Sequence, residues 1–458
     1  MRDARQNMLA NEGIGRLLLR LSLPAAVGMI VMALYNVVDT IFIGHAVGPL
    51  GIAGLTIVFP IQMLLMGVGM LLGIGGASLI SRSLGAGDIH KAERTLGNAI
   101  SLSVLLGLLF TGIGLANSGY WVRLFGASES IYPYAKGYLD IILLGTIFRI
   151  FAMSTNNLIR AEGNARVPMT SMIIGAGLNI VLDAIFILKL NMGVQGAALA
   201  TILSIMVSSL FLSSYYKFRN STLKIHLTNL IPYYGVIKEI ISIGMASFFR
   251  SSATSLIMIV MNRSLIFYGG DMAVATAGIV GRVLMFVLMP LMSIGQGLQP
   301  ILGFSYGAKN GKRAIRAIKL SVIVSTIVSL VAFIPLVTNA EPIIQIFTND
   351  VFLITEATHA ARLMSLCMFL IGFQVVGSVL FQSIGKATPA FLTAIARQIL
   401  FFLPSILILP RFWELDGIWL SYPVADVLAF LFVLLLFLPE VRNLRRMKST
   451  EAIRIPSK

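Results

Sequence analysis

The chain has 458 residues, of which 57% are apolar and 12% charged, about half the charged share of an ordinary soluble domain. A mean hydropathy of +0.89 spread over the whole length excludes a water-soluble enzyme and requires lipid as solvent. The formal charge of +16 would suggest nucleic acid in a soluble chain. Here the basic residues fall in short gaps between apolar runs, without interleaved stacking aromatics, so no nucleic-acid partner is expected.

Residues 1–20 are polar and carry Arg2, Arg5, Arg16 and Arg20. They lack the apolar core and small-residue cleavage site of a removable signal peptide, so the first span is expected to target the chain. Apolar runs long enough to cross a bilayer then recur at 17–44, 50–81, 93–117, 132–158, 167–190, 194–217, 236–268, 273–304, 315–339, 354–383, 388–410 and 417–439. The fold class predicted is therefore all-α, with twelve transmembrane helices. An even number places both termini on one side. The gaps on that side and the two tails hold 25 Lys and Arg, against Arg123, Lys136, Lys189 and Arg411 in the opposite gaps. Both termini are accordingly expected in the cytoplasm, in a multi-pass protein of the plasma membrane.

A repeat runs through the chain at an offset of 222 residues. Ser83-Leu84-Gly85-Ala86 returns as Ser305-Tyr306-Gly307-Ala308, with Ala92 and Arg94 matching Ala314 and Arg316. Gly73 and Gly75 match Gly295 and Gly297, Phe125 matches Phe347, and Gly163-Asn164-Ala165 matches Gly385-Lys386-Ala387. The offset contains six spans, so the two halves share one orientation and are related by a pseudo-two-fold axis along the membrane normal. The domain organisation expected is an N-terminal lobe at 1–217, a basic cytoplasmic linker at 218–236, a C-terminal lobe at 237–440 and a cytoplasmic tail at 441–458.

Ionisable groups inside a membrane are functional hypotheses by default. Tyr35 and Asp39 in span one, and Asn179 and Asp183 in span five, are each spaced i, i+4 and so share a helix face. Thr201 in span six and Asn156 and Asn157 in span four add further polar groups to the same lobe. Two carboxylates with amide and hydroxyl oxygens in a poorly solvated pocket suit reversible capture of a proton or a sodium ion, and their titration would be coupled. The structural alternative is pairing of these acids with an arginine such as Arg149. In the C-terminal lobe Asp426 can pair with Arg397 or Arg282, while Arg250 and Arg263 have no acid on their own span. His45, His90, His226 and His359 show no metal-ligand spacing, and Cys367 stands alone, so neither a metal centre nor an intrachain disulfide is expected. Pro24, Pro290 and Pro300 can kink their spans. The 22 Met and 27 Phe suit a tolerant, greasy pocket. No nucleotide-binding loop, nucleophile elbow or metalloprotease motif is present, so the chain is read as a non-enzyme without cofactor, powered by an ion gradient.

The residues Leu21-Ser22-Leu23-Pro24, Asn36-Val37-Val38-Asp39-Thr40-Ile41-Phe42-Ile43-Gly44, Arg160-Ala161-Glu162-Gly163-Asn164, Gly193-Val194-Gln195-Gly196-Ala197-Ala198-Leu199-Ala200-Thr201 and Gly417-Ile418-Trp419-Leu420-Ser421-Tyr422-Pro423-Val424-Ala425-Asp426 resemble those of multidrug and toxic compound extrusion (MATE) transporters over essentially the whole chain. Asp39 with Asn179 and Asp183 is similar to the branch of DNA-damage-inducible and archaeal members, whose acids lie in the N-terminal lobe. The resemblance implies a V-shaped cavity between two six-helix lobes and efflux of drugs or organic cations by alternating access, in exchange for H+ or Na+. It also implies a cation site of Asp39, Asn179, Asp183 and Thr201, supported by Tyr35 and Asn157. The site of the other branch, in the C-terminal lobe, does not carry over, because span seven has Arg250 and Arg263 but no acid. The partners expected are small lipophilic or cationic molecules and membrane lipids, with the protein a monomer. The alternatives are a lipid-linked precursor flippase of the same superfamily and a non-transporting membrane receptor.

Overall fold

The structure, a computed structural model, describes residues 2–218 and 221–447, and within them every side chain except those of residues 2, 3, 4, 36, 40, 45 and 49. Residues 219 and 220 of the expected linker and 448–458 of the expected tail lie outside the described residues. So do the side chains of Arg2 and of Asn36 and Thr40 in the first-span motif.

In hydrocarbon a backbone N–H or C=O has no partner but another backbone group, so each apolar run forms a helix. A short helix, α1 (Arg2–Asn11), precedes the N-terminal lobe of α2 (Ile14–Ala46), α3 (Pro49–Gly85), α4 (Ile89–Ala116), α5 (Ser118–Leu124), α6 (Tyr132–Leu144), α7 (Thr146–Ala161), α8 (Arg166–Asp183) and α9 (Gly193–Phe218). The second lobe contains α10 (Tyr234–Gly307), α11 (Gly311–Thr338), α12 (Ala340–Gln345), α13 (Val351–Ser365), α14 (Ile371–Ile384), α15 (Ala387–Ile395), α16 (Leu403–Ile408) and α17 (Pro410–Arg446). Nine of the described helices are long and apolar enough to cross a membrane, and two bent pairs, α6 with α7 (56°) and α13 with α14 (44°), each make one more. The helical run of α10 is itself two spans. A straight helix of its 74 residues would measure about 110 Å, far beyond a hydrocarbon core of about 30 Å. It turns at Gly270, where φ is +64°, a left-handed value that glycine adopts without strain. Both of its ends then lie against α3: Gly244 abuts Leu71, and Gly307 abuts Arg82. The resulting total is the twelve spans expected.

Packing shows how the lobes meet. One apolar core draws on both, from Leu9, Leu17 and Leu72 to Ile301, Phe381 and Leu444. Away from it each lobe has a core of its own, around Ile43, Leu139 and Ala197 in the first and around Leu265, Ile344 and Trp419 in the second. The two lobes are thus joined at one end and separate at the other. The joined end carries both chain ends: Arg313 donates from Nε to the Leu9 carbonyl (3.0 Å) and from Nη2 to that of Glu12 (2.8 Å), and Gly311 abuts Leu444. The linker lies there too. Asn98 on α4 donates to the carbonyls of Asn229 (2.9 Å) and Ile231 (3.1 Å) and accepts from the Tyr233 amide (2.7 Å), which satisfies backbone groups that would otherwise be buried without partners. Large apolar side chains such as Leu105, Leu108, Val331 and Leu435 stay exposed along the spans, as a lipid-facing surface requires. The helices continue through Pro24, Pro290 and Pro300.

Candidate functional site: a buried pair of carboxylates

Helix α2 packs on α8 at close range, since a Cβ at Gly28 would meet the Met172 Sδ at 2.7 Å. That contact brings the two acidic faces together. Asp39 is 8% exposed, Asp183 0% and Asn179 2%, and the charges of the two acids are close enough to interact. Asn179 Nδ2 points to the Thr201 hydroxyl on α9 at 3.5 Å. Four oxygens at this point, Asp39 Oδ1, Asn179 Oδ1 and both carboxylate oxygens of Asp183, are buried without a hydrogen-bond partner among the described residues. Buried polar atoms are normally paired, and an unpaired buried carboxylate is costly. These oxygens therefore call for a further positive partner, and ligands of this kind fit a proton or a hard monovalent cation.

Backbone geometry favours the same place. Directly after Asp183 the helix widens into a single π turn, Ala184–Lys189, a distortion that recurs at functional sites. A second π turn, Ala396–Phe402, carries Arg397 in the other lobe.

The supporting residues divide. Asn157 is buried at the contact of α7 with α3, where it donates to the Met153 carbonyl (2.9 Å) and lies against Gly73. The Asn156 Oδ1 atom is buried without a partner among the described residues. Tyr35 lies within electrostatic reach of Tyr138, as do Asp39 and Arg149. Tyr138 accepts from Gln62 Nε2 (3.4 Å), and Gln62 Oε1 accepts from Arg149 Nη1 (3.3 Å). Arg149 is thus held by Gln62, and it forms no ion pair with Asp39 or Asp183 among the described residues. In the second lobe Arg397 takes Asp426, Nε to Oδ1 at 2.5 Å, which resolves the choice between Arg397 and Arg282. Gln374 adds a bond to the Asp426 carbonyl (2.9 Å).

A further buried acid, Glu162, lies inside the Arg160–Asn164 motif, where nothing in the sequence marks it as buried. Glu162, in the turn between α7 and α8, accepts at Oε2 from the Ser221 hydroxyl (2.7 Å), the Thr222 amide (2.9 Å) and the Tyr215 hydroxyl (3.1 Å). Arg5 Nη1 stands 3.9 Å away. One carboxylate thereby ties α1, α9 and the linker to the first lobe. Burial is the largest influence on it and pushes its pKa up to about 7, against those hydrogen bonds and Arg5. Below pH 4.5 it is protonated whether the chain is folded or not. Between pH 4.5 and about 7 the unfolded chain releases the proton while the folded chain keeps it, so stability falls across this window and levels off above it. Glu162→Gln should flatten the decline in thermal-unfolding midpoint between these pH values in detergent. Parallel profiles for the two proteins would contradict this.

The MatE family profile matches residues 24–185 and 246–407, two segments separated by the 222-residue offset of the internal repeat. The chain is 28% identical over 438 residues to the multidrug export protein MepA of Staphylococcus haemolyticus, covering 95% of this chain and 96% of that protein. Among solved structures it is similar to the MATE multidrug transporter DinF-BH (43% identity, TM-score 0.89, 96% of this chain and 98% of the other). It is also similar to a multidrug resistance MATE family transporter of the MOP superfamily in an outward-facing conformation (27%, 0.91, 96% and 98%).

Proposed function

The chain belongs to the MatE family of multidrug and toxic compound extrusion transporters, and from that premise we propose that it exports lipophilic organic cations in exchange for protons or sodium ions, using the pocket of Asp39, Asn179, Asp183 and Thr201. It is a multi-pass membrane transporter of small molecules and not an enzyme. Further elements of the proposal are a plasma-membrane location with both termini in the cytoplasm, action as a monomer, and lipid as the only other partner.

The observation that carries the reading is the set of oxygens at Asp39, Asn179 and Asp183 that are buried without a hydrogen-bond partner among the described residues. Two ionised carboxylates in a dry pocket repel each other and lack solvent. A proton or a sodium ion removes that cost, and the ion is therefore held most firmly when the pocket is closed and lost most easily when it is wet. The pocket is shared by α2, α8 and α9, so loading changes how these helices pack. Ion and substrate then favour different arrangements of the lobes, and by linkage each weakens binding of the other. In this proposal Tyr35 on α2 and Asn157 on α7 are supporting residues.

Reconstituted vesicles with an imposed proton or sodium gradient, tested against a panel of lipophilic cations, examine this reading. Gradient-dependent movement of at least one cation is expected, with one of the two ions effective. Saturable binding of the same compounds with no movement under either gradient would overturn it.

A further inference from the structure

Two pairs of glycine contacts that join the lobes obey the internal symmetry residue by residue. A Cβ at Gly85 on α3 would overlap the Phe304 carbonyl on α10, and a Cβ at Gly307 would overlap the Arg82 carbonyl. Gly85 and Gly307 are counterparts at the 222-residue offset, and so are Arg82 and Phe304. The pair is therefore reciprocal: i meets j's counterpart, and j meets i's. A second pair repeats the pattern deeper in the interface. A Cβ at Gly75 would overlap the Ile240 carbonyl and lie 3.2 Å from the Gly244 amide nitrogen, and one at Gly297 would overlap the Ser22 hydroxyl and lie 2.9 Å from the Ser22 amide nitrogen. Gly297 is the counterpart of Gly75, and Ser22 that of Gly244. Ser78 adds a hydrogen bond across the interface to the Gln382 carbonyl (2.5 Å).

Polar bonding does not share the symmetry: Ser78 and Gln382 have Pro300 and Arg160 as counterparts, and the ion pairs of Glu239 are one-sided too. Arg82 Nη2 reaches Glu239 Oε1 at 2.8 Å across the lobes, Lys91 Nζ reaches Glu239 Oε2 at 3.3 Å, and the Arg82 guanidinium lies against Gly385, whose φ is +80°. The counterparts of Arg82 and Glu239 are Phe304 and Leu17, both in the apolar core shared by the lobes. One rim of the contact is thus ionic and the opposite rim apolar.

We propose that these glycine–backbone contacts are the transporter's cytoplasmic gate: a pseudo-symmetric seal that closes only because Gly85 and Gly307 lack a side chain, latched on one rim by Arg82 and Glu239. The inference rests on the alternating-access reading. An isologous contact of this kind is self-complementary, so both lobes seal or part together. At Gly85 and Gly307 backbone meets backbone, which leaves no side chain to repack, so the first added methyl group must move a whole helix. The seal therefore has a narrow closed state and opens as a unit, which a two-state gate requires. The ionic rim is partly exposed and contributes the smaller share.

Spin labels at Arg166 and Thr388, exposed counterparts on the two lobes at the sealed end, read the opening as a distance. Labels are placed as cysteines in a Cys367→Ser background, in detergent and without an imposed gradient, so the readout is independent of efflux. In the unsubstituted protein the short-distance population dominates. Gly85→Ala and Gly307→Ala, made singly, should each make the long-distance population the majority, and to a similar degree because their contacts are equivalent. Gly112→Ala, whose Cβ meets nothing within 4 Å, should leave the distances unchanged. If the glycine variants do not accumulate, Glu239→Gln, on the half-buried rim, should move the distances the same way by less. Unchanged distances in the glycine variants, or in Glu239→Gln where those fail, would overturn the gate. Failure of the transport reading would show separately, as a wild-type distance that no ion or substrate moves.

Discussion

Asp39→Asn is expected to abolish gradient-driven efflux, down to the rate of empty vesicles, while the protein remains folded. Asparagine keeps the size of the side chain and can still be hydrogen-bonded, but it can neither release a proton nor neutralise a bound cation. The variant replaces a buried ionisable group by a neutral amide, and burial of the amide costs less than burial of the ionised acid, so no loss of thermal stability is expected. Asp183→Asn should behave alike, because the two acids interact and act as one coupled unit. Transport assays in vesicles, with the thermal-unfolding midpoint measured on the same preparations, check both. Undiminished efflux by Asp39→Asn would remove the coupling role from this pocket.

Arg397→Met is expected to cause a large loss of stability. Arg397 and Asp426 form a close pair inside the second lobe, Nε to Oδ1 at 2.5 Å, and the Asp426 side chain is 1% exposed. Removing one partner leaves the other as an uncompensated charge in a dry site, which costs about 3–5 kcal/mol in proteins generally. Replacing both by neutral groups should return most of that loss, since the pair then disappears along with its desolvation. Midpoints of Arg397→Met, Asp426→Asn and the double variant, measured together, form a double-mutant cycle. A large negative midpoint shift in the single variant with recovery in the double is expected. Additive losses would contradict the pairing account.

Most of the fold was legible because lipid removes choices. The run lengths, the 222-residue offset and the even number of spans lead to twelve helices in two like-oriented lobes, and the family profile matches at the same offset. The i, i+4 spacing of Asn179 and Asp183 likewise places both on one face of α8, where the structure has them buried. Other features depend on atoms far apart in the chain. Nothing near Asp426 says that Arg397, and not Arg282, will face it. The π turn after Asp183 has no residue signature, because it reflects how α8 meets its neighbours. Glu162 reads as a loop acid, at home in solvent, until α1, α9 and the linker close over it. Gly85 and Gly307 belong to the visible repeat, but the backbone each one meets lies in the opposite lobe.

In the proposed mechanism ion and substrate act on one equilibrium through Asp39 and Asp183. Ion release on adding a lipophilic cation to purified protein tests it most directly, followed with a pH indicator in weak buffer and with a sodium tracer in parallel. The account predicts that substrate expels protons or sodium ions from the wild type and expels none from Asp183→Asn. Substrate binding that saturates in the wild type, displaces neither ion and is indifferent to pH and sodium would contradict it.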